Sequence, residues 1–553
     1  MKLAKSIRLG AAVAALGFGL LPGGRLGVTA AAASNRSRPN ILFIAVDDLR
    51  PELGCYGEAE VRSPHIDRLA AHGVRFTRVF CQQAICGPSR ASLLTGLRPD
   101  SDGVIENATY FRKTVPNVIT LPQQFRLHGY ETVYLGKIFH ANFRDEEHSW
   151  SRKATFPKRT YRLPFRGYQS DANRALVKRR IKEVKEKYGK PLWALTLGPA
   201  WEAADVPDDA YEDGYNATAA IATMHELAAG GKPFFLAVGF HKPHLNFIAP
   251  KRYWDLYDPS QIKLAGNPFA PKNAPSIGLH SSFELRTRYG IPKSGPVPDD
   301  IARNLIHAYM ACVSYVDAQI GRVIGELDRL GLRDNTIIVL WGDHGWHLGE
   351  HGIWGKATNF EIATRVPLIV SAPGKRARGV ASPALVELVD IYPTLCELAG
   401  LPRPKALEGA SFAPLLDHPN RRWKKAVFSQ FPSPALREWA AAPLSAPMRQ
   451  TFFGPLIRKV EARLKAESPN RYNQELFDNY LMGYTMRTDR YRLTRWVDTR
   501  NRSLQPIKVE LYDHETDPAE NNNVAADPDR AELLKRLAQQ MKDGWEAALP
   551  AGE

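Results

Sequence analysis

Two acidic groups in the 553-residue sequence have the makings of a metal site: Asp47-Asp48, and Asp343 followed by His344. Carboxylates are hard oxygen donors of the kind calcium prefers, and an imidazole nitrogen suits calcium less well, so His344 is the weakest ligand of the four. An isolated Asp-Asp pair reads more simply as a helix or turn cap; the second acidic group shifts the balance toward metal. A third group begins at Cys86, in Cys86-Gly87-Pro88-Ser89-Arg90-Ala91-Ser92-Leu93-Leu94-Thr95-Gly96. Pro88 fits an early helical position, where no amide donor is needed. Cys86 is therefore expected just before a helix N-terminus, whose free amides and partial positive charge suit an anion such as sulfate. Arg90 adds a planar cation. Further cations and proton carriers come from Lys137 and His140 (Gly136-Lys137-Ile138-Phe139-His140), His241 (His241-Lys242-Pro243-His244) and Lys356 (Trp354-Gly355-Lys356-Ala357-Thr358-Asn359-Phe360). Lysines offset charge that develops on oxyanions, and a histidine can protonate a leaving alkoxide. Singly, each is an ordinary surface lysine or structural histidine; as a set they point to a working site. His241 and His140 both suit the acid role, with no order between them. His244, His347 and His351 fit pocket-lining and structural roles equally well.

These groups fall where strands end. Ile41–Val46 is an apolar run that stops at Asp47, Glu131–Leu135 leads to Lys137, Pro233–Phe240 ends before His241, and Thr336–Trp341 ends at Gly342-Asp343. Pro367–Ser371 reads as another strand. Residues 301–330 read as a long amphipathic helix, with Leu305, Tyr309, Val313, Val316, Ile320, Val323 and Leu327 at spacings of three and four. Strands alternating with helices predict an α/β fold with a large, mainly parallel sheet flanked by helices. Open sheets of that kind bind ligands at the C-terminal ends of their strands. Residues 141–230 form a long insertion with a basic helical run near 172–188, the sort of segment that shapes specificity. Beyond residue 431 the pattern changes to a Pro- and Ala-rich stretch, a basic helix near 455–466, and antiparallel strands over Gly483–Val497 and Lys508–Tyr512.

The run from Cys86 to Gly96 resembles, without a gap, the signature of the type I sulfatases of the alkaline-phosphatase superfamily: Cys-x-Pro-Ser-Arg followed by Ser-Leu-Leu-Thr-Gly. Asp343-His344, Gly198-Pro199-Ala200-Trp201-Glu202-Ala203-Ala204-Asp205-Val206-Pro207-Asp208 and Ser429-Gln430-Phe431-Pro432 are similar to the iduronate-2-sulfatase branch. The resemblance covers most of residues 38–431, fails over 433–480 and returns after that. It implies an alkaline-phosphatase-like mixed sheet with a smaller C-terminal α+β domain built on an antiparallel sheet. It implies that a maturation enzyme oxidises Cys86 to formylglycine, whose hydrate attacks sulfur and later releases sulfate. It further implies one calcium ion on Asp47, Asp48, Cys86, Asp343 and His344. Cys86, Arg90, Lys137, His140, His241 and Lys356 then form the catalytic set, acting on a sulfated saccharide. Phosphate or phosphonate esters are the alternative substrates within the superfamily, and a glycan-binding protein without activity is the alternative outside enzymes.

The bulk properties fit this. The net charge is +16, of which four positives lie in residues 1–33. That segment has a basic start, an apolar run over Leu9–Leu21 and small residues at Ala30–Ala33, the pattern of a signal peptide. Its apolar run falls short of the ~20 residues a membrane span needs. The expected destination is the periplasm or the cell exterior, or the lysosome in a eukaryotic host, with no stable membrane anchor. A catalytic domain over 34–430 and a C-terminal subdomain over 431–553 follow. The basic surface favours anionic partners, but no nucleic-acid-binding signature accompanies it. Five cysteines, Cys55, Cys81, Cys86, Cys312 and Cys396, make no disulfide scaffold and no zinc-site spacing. Cys312 and Cys396 read as core residues. Oligomeric state has no signal in the sequence.

Overall fold

The computed structural model describes residues 38–140, 143–192, 195–433, 453–501 and 505–550; the leader segment 1–33 and most of the Pro- and Ala-rich stretch lie outside them. Strands β1 (Asn40–Val46), β2 (Val74–Phe80), β3 (Glu131–Gly136), β4 (Phe234–Phe240), β5 (Thr336–Gly342), β6 (Arg365–Ser371) and β7 (Val380–Glu387) form one seven-stranded sheet in the order β7-β2-β6-β5-β1-β4-β3. Only β6 runs against the rest. The reason is its connection. A parallel neighbour of β5 would need a crossover, usually a helix. Here residues 343–364 hold only a two-residue ladder of His347–Leu348 with Trp354–Gly355, a 3-10 turn at Glu350–Gly352 and a helical turn at Glu361–Thr364, and the chain returns beside β5 in the opposite sense.

β1 is buried along its whole length, and its side chains alternate between two cores. Leu42, Ile44 and Val46 join one; Ile41, Phe43 and Ala45 join the other. The period of two is that of a strand with both faces covered. Helices α3 (Glu212–Ala229) and α4 (Asp299–Arg329) cover the first face. Helix α1 (Cys86–Thr95) lies on the second. The expected basic helix of the insertion is present as α2 (Asp171–Tyr188). A second sheet, β8 (Val427–Pro432), β9 (Leu481–Arg487), β10 (Tyr491–Asp498) and β11 (Lys508–Asp513), is antiparallel throughout. It meets the main body through Gln430, whose amide donates to Gln82 O at 2.8 Å. Among the described residues no helix is long and apolar enough to cross a membrane.

Glycines let the site-bearing strand ends approach. Gly136 has φ +64°, and a Cβ there would lie 1.9 Å from Gly239 O. That contact admits the Lys137 N–H bond to Gly239 O at 3.1 Å. Gly136→Ala is expected to cost about 2 kcal/mol or more of stability, through both the left-handed backbone and the clash, measured as a lower urea midpoint.

Candidate functional site

The C-terminal ends of β1, β3, β4 and β5 bring the polar groups together. Asp47 and Asp48 follow β1, Lys137 follows β3, and Asp343 and His344 follow β5. All three aspartates are fully buried. Helix α1 runs beneath them; it begins at Cys86 itself, with Ile85 in extended conformation and no side-chain cap on its N-terminus. The Gly87 amide is taken by Asn107 Oδ1 at 2.8 Å.

Arg90 fixes the arrangement. Its Nε donates to Asp343 Oδ2 at 2.8 Å, its Nη2 to Asp47 Oδ1 at 3.2 Å, and its Nη1 to Ile138 O at 3.0 Å and to Lys137 O. Its guanidinium also lies 5.5 Å from the Trp341 ring centroid. No point charge could hold that fork. Lys137 Nζ reaches Asp47 Oδ2 at 2.5 Å. Lys356 Nζ reaches Asp48 Oδ1 at 2.8 Å and lies 3.5 Å from Cys86 Sγ. Burial opposes ionisation of Asp47, but Lys137, His244 and Arg90 outweigh it and hold this carboxyl well below its usual range. Asp48 goes the other way: burial raises it, Lys356 resists, and Asp47, Glu284 and Asp343 add repulsion. Burial also pushes the Cys86 thiol well up, with Asp47 reinforcing the shift.

The donor set fits a hard divalent cation. Donor atoms of Asp47, Cys86, Asp343 and His344 all lie within 4.8 Å of one another, as do those of Asp47, Asp48, Cys86 and His244. His344 Nδ1 faces Gly345 O at 3.0 Å. A carbonyl only accepts, so Nδ1 carries the hydrogen and Nε2 an electron pair. Nε2 lies 3.2 Å from Cys86 Sγ, 3.4 Å from Asp48 Oδ1 and 3.6 Å from Asp343 Oδ2. Burial depresses the pKa of His344 to about 4. The lone pair of this neutral imidazole is matched either by the proton of the Cys86 thiol, 3.2 Å away, or by a cation among the carboxylates.

The histidines divide. His140 is half-buried, its inaccessible Nδ1 has no partner, and burial together with Lys137 holds its pKa well down. His241 is not drawn into the cluster: its half-exposed ring lies 3.7 Å from Asp213 Oδ1. His244 is drawn in. Its Nδ1 donates to Leu245 O at 2.6 Å, which leaves Nε2 3.5 Å from Glu284 Oε1 and 4.0 Å from Asp48 Oδ2. His347 bonds Thr358 Oγ1 at 3.0 Å, and His351 bonds Ala519 O at 2.9 Å; both brace loops. Two further residues had no signal in the sequence. Glu284 touches His244 and, at 3.5 Å, Lys356; His280 Nε2 donates to Lys356 O at 2.6 Å. Both sit between the β4 loop and α4, where neither a periodic pattern nor a motif marks them.

The sulfatase family model matches residues 39–401. Iduronate 2-sulfatase of Mus musculus is 37% identical over 94% of this chain and 98% of its own length. The Homo sapiens enzyme is 35% identical over 93% and 96%. A solved phosphonate monoester hydrolase from Silicibacter pomeroyi superposes with a TM-score of 0.67 at 24% identity, over 93% of this chain and 96% of that one, a likeness of fold. With the family model matched over most of the chain and relatives above 30% identity covered nearly end to end, the chain belongs to the sulfatase family, a sulfuric ester hydrolase.

Proposed function

We propose that this chain hydrolyses a sulfate ester on a saccharide, in the manner its iduronate 2-sulfatase relatives' name describes. Cys86, oxidised to formylglycine by a maturation enzyme, would be the nucleophile, and one calcium ion would sit on Asp47, Asp48, Asp343, His344 and the residue 86 side chain. The observation that carries the proposal is the convergence of three buried aspartates, Arg90, Lys137 and Lys356 on the head of α1. A buried thiol whose pKa is pushed up is a poor nucleophile as it stands. The hydrated aldehyde of formylglycine would supply a hydroxyl at the same place.

Each remaining residue has a task in this reading. Arg90 and Lys137 fix Asp47, and Lys356 stands beside both Asp48 and residue 86, placed to offset charge on sulfate oxygens as the S–O bond breaks. The leaving alkoxide needs a proton. His140 and His241 were the sequence candidates, and the geometry adds His244, whose Nε2 points into the cluster. When bound, calcium would acidify the nucleophilic hydroxyl and hold sulfate oxygens. The leader over residues 1–33 would export the protein to the periplasm, the exterior or a lysosome. Residues 34–430 would form the catalytic domain and 431–553 the C-terminal subdomain.

Two experiments test this. In a host with the maturation enzyme, the peptide spanning Cys86 is expected to lose its thiol and carry the mass of formylglycine or its hydrate. An unmodified cysteine beside a converted control sulfatase would overturn the mechanism. Calcium is expected to raise Tm, by about 2.7 kcal/mol of stabilisation at a hundredfold excess over Kd. Asp48→Asn should abolish that response, and a Tm indifferent to calcium in the parent protein would remove the metal from the reading.

A further inference from the structure

Arg288 lies on the loop between Glu284 and α4, and only 3% of it is exposed. Its hydrogen bonds all go to neutral acceptors. Nη1 donates to Thr287 Oγ1 at 2.5 Å and to Glu284 O at 3.5 Å; Nη2 donates to Leu245 O at 3.4 Å; Nε has no partner. No described carboxylate lies within ion-pair distance of it. Arg90, equally buried, holds two carboxylates. Arg286, two residues before Arg288, is also buried and bonds only the carbonyls of Ser281, Pro292 and Gly295. Glu284 and Asp48 act on Arg288 only from beyond hydrogen-bond reach, so its guanidinium is out of water without a bonded counter-ion, which is costly.

Its position says which anion. Leu245 O accepts from both Arg288 Nη2 and His244 Nδ1, and His244 Nε2 faces Asp48 and Glu284. Arg288 is therefore one carbonyl removed from a side chain that borders the cluster. It stands on the side formed by the β4 loop, away from Arg90 and Lys137, which serve Asp47.

We propose that Arg288 recognises a second anionic group of the substrate, distinct from the sulfate ester that is cleaved, and so sets the preference for polyanionic saccharides. The proposal rests on the saccharide reading above. A uronic carboxylate and a second sulfate are the two sources of such a group; both accept a planar fork of N–H donors.

The test compares the parent protein with Arg288→Gln and Arg288→Lys on five esters. These are an aryl sulfate, a 2-O-sulfated uronate, its carboxyl-reduced analogue, and a neutral monosulfated sugar with and without a second sulfate. Loss of a charge-assisted contact is expected to lower kcat/KM for the doubly anionic substrate roughly tenfold to a hundredfold more than for the aryl sulfate, mainly through KM. Arg288→Lys should recover part of that difference. The parent protein should itself prefer the doubly anionic partner of each pair by a similar factor, a readout that survives if Arg288→Gln does not fold. Preference for the intact uronate identifies the carboxylate; preference for the disulfated sugar identifies the sulfate. Equal losses on every ester, or a parent protein blind to the second anion, overturn the proposal. A parent protein that cleaves the aryl sulfate and no sugar sulfate instead overturns the saccharide reading on which it rests.

Discussion

Everything at the site follows from keeping three carboxylates out of water within a few ångströms of one another. Asp47, Asp48 and Asp343 are fully buried, and Glu284 adds a fourth acid at the edge. Two like charges 4 Å apart repel by about 4 kcal/mol at the effective dielectric of a protein near its surface. Arg90 offsets this by joining Asp47 to Asp343, while Lys137 and Lys356 each hold one aspartate. Because Arg90 also grips the carbonyls of Lys137 and Ile138, the same guanidinium locks the end of β3 to the ends of β1 and β5. The charges and the backbone are thus one structure. A cation among the carboxylates would complete the neutralisation that the three basic side chains begin.

Much of this was legible because the informative residues terminate apolar runs. Asp47 ends a strand buried on both faces, and Asp343 follows another, so each stands out from its surroundings. Pro88 placed a helix start beside Cys86, which the structure takes in as the first helical residue. The rest depended on contacts the sequence does not encode locally. β2 alternates buried and half-buried residues, and β7 carries a proline, so neither gives a clean apolar run. The reversal of β6 depends on a connection without a crossover helix. His241 and His244 are three residues apart, and a backbone turn, His244 N to His241 O at 2.8 Å, sends the two rings to different neighbours. Glu284 could be placed only by tertiary structure.

The C-terminal sheet acts on the site through Glu361, five residues beyond Lys356. Glu361 accepts from Arg487 Nε at 2.9 Å and Arg492 Nη2 at 2.6 Å, and its amide donates to Glu520 at 2.7 Å. Arg492 and His514 bind Glu520 in turn. Glu361, His514 and Glu520 cluster closely enough to suggest a second metal site. Two arginines already neutralise those carboxylates, holding both low against the effect of burial. Such buried pairs contribute more to a unique geometry than to net stability. Here the geometry they define is that of the Lys356 loop, which His351 fastens again through Ala519 O.

Two buried arginines therefore separate chemistry from recognition. Arg90 is saturated by carboxylates of the protein, so it is rigid and complete before any substrate arrives. Arg288 is fastened only by neutral oxygens, with Glu284 and Asp48 acting on it from beyond hydrogen-bond reach, so it has no bonded carboxylate. The first sits on a helix under the sheet, where any displacement would disturb three strand ends at once. The second sits on a loop, which can change without moving those strand ends. A fold that hydrolyses many sulfate esters needs this division: the strand ends must stay fixed for the reaction, while the loops that follow β4 and the C-terminal sheet are free to select the molecule that carries the sulfate.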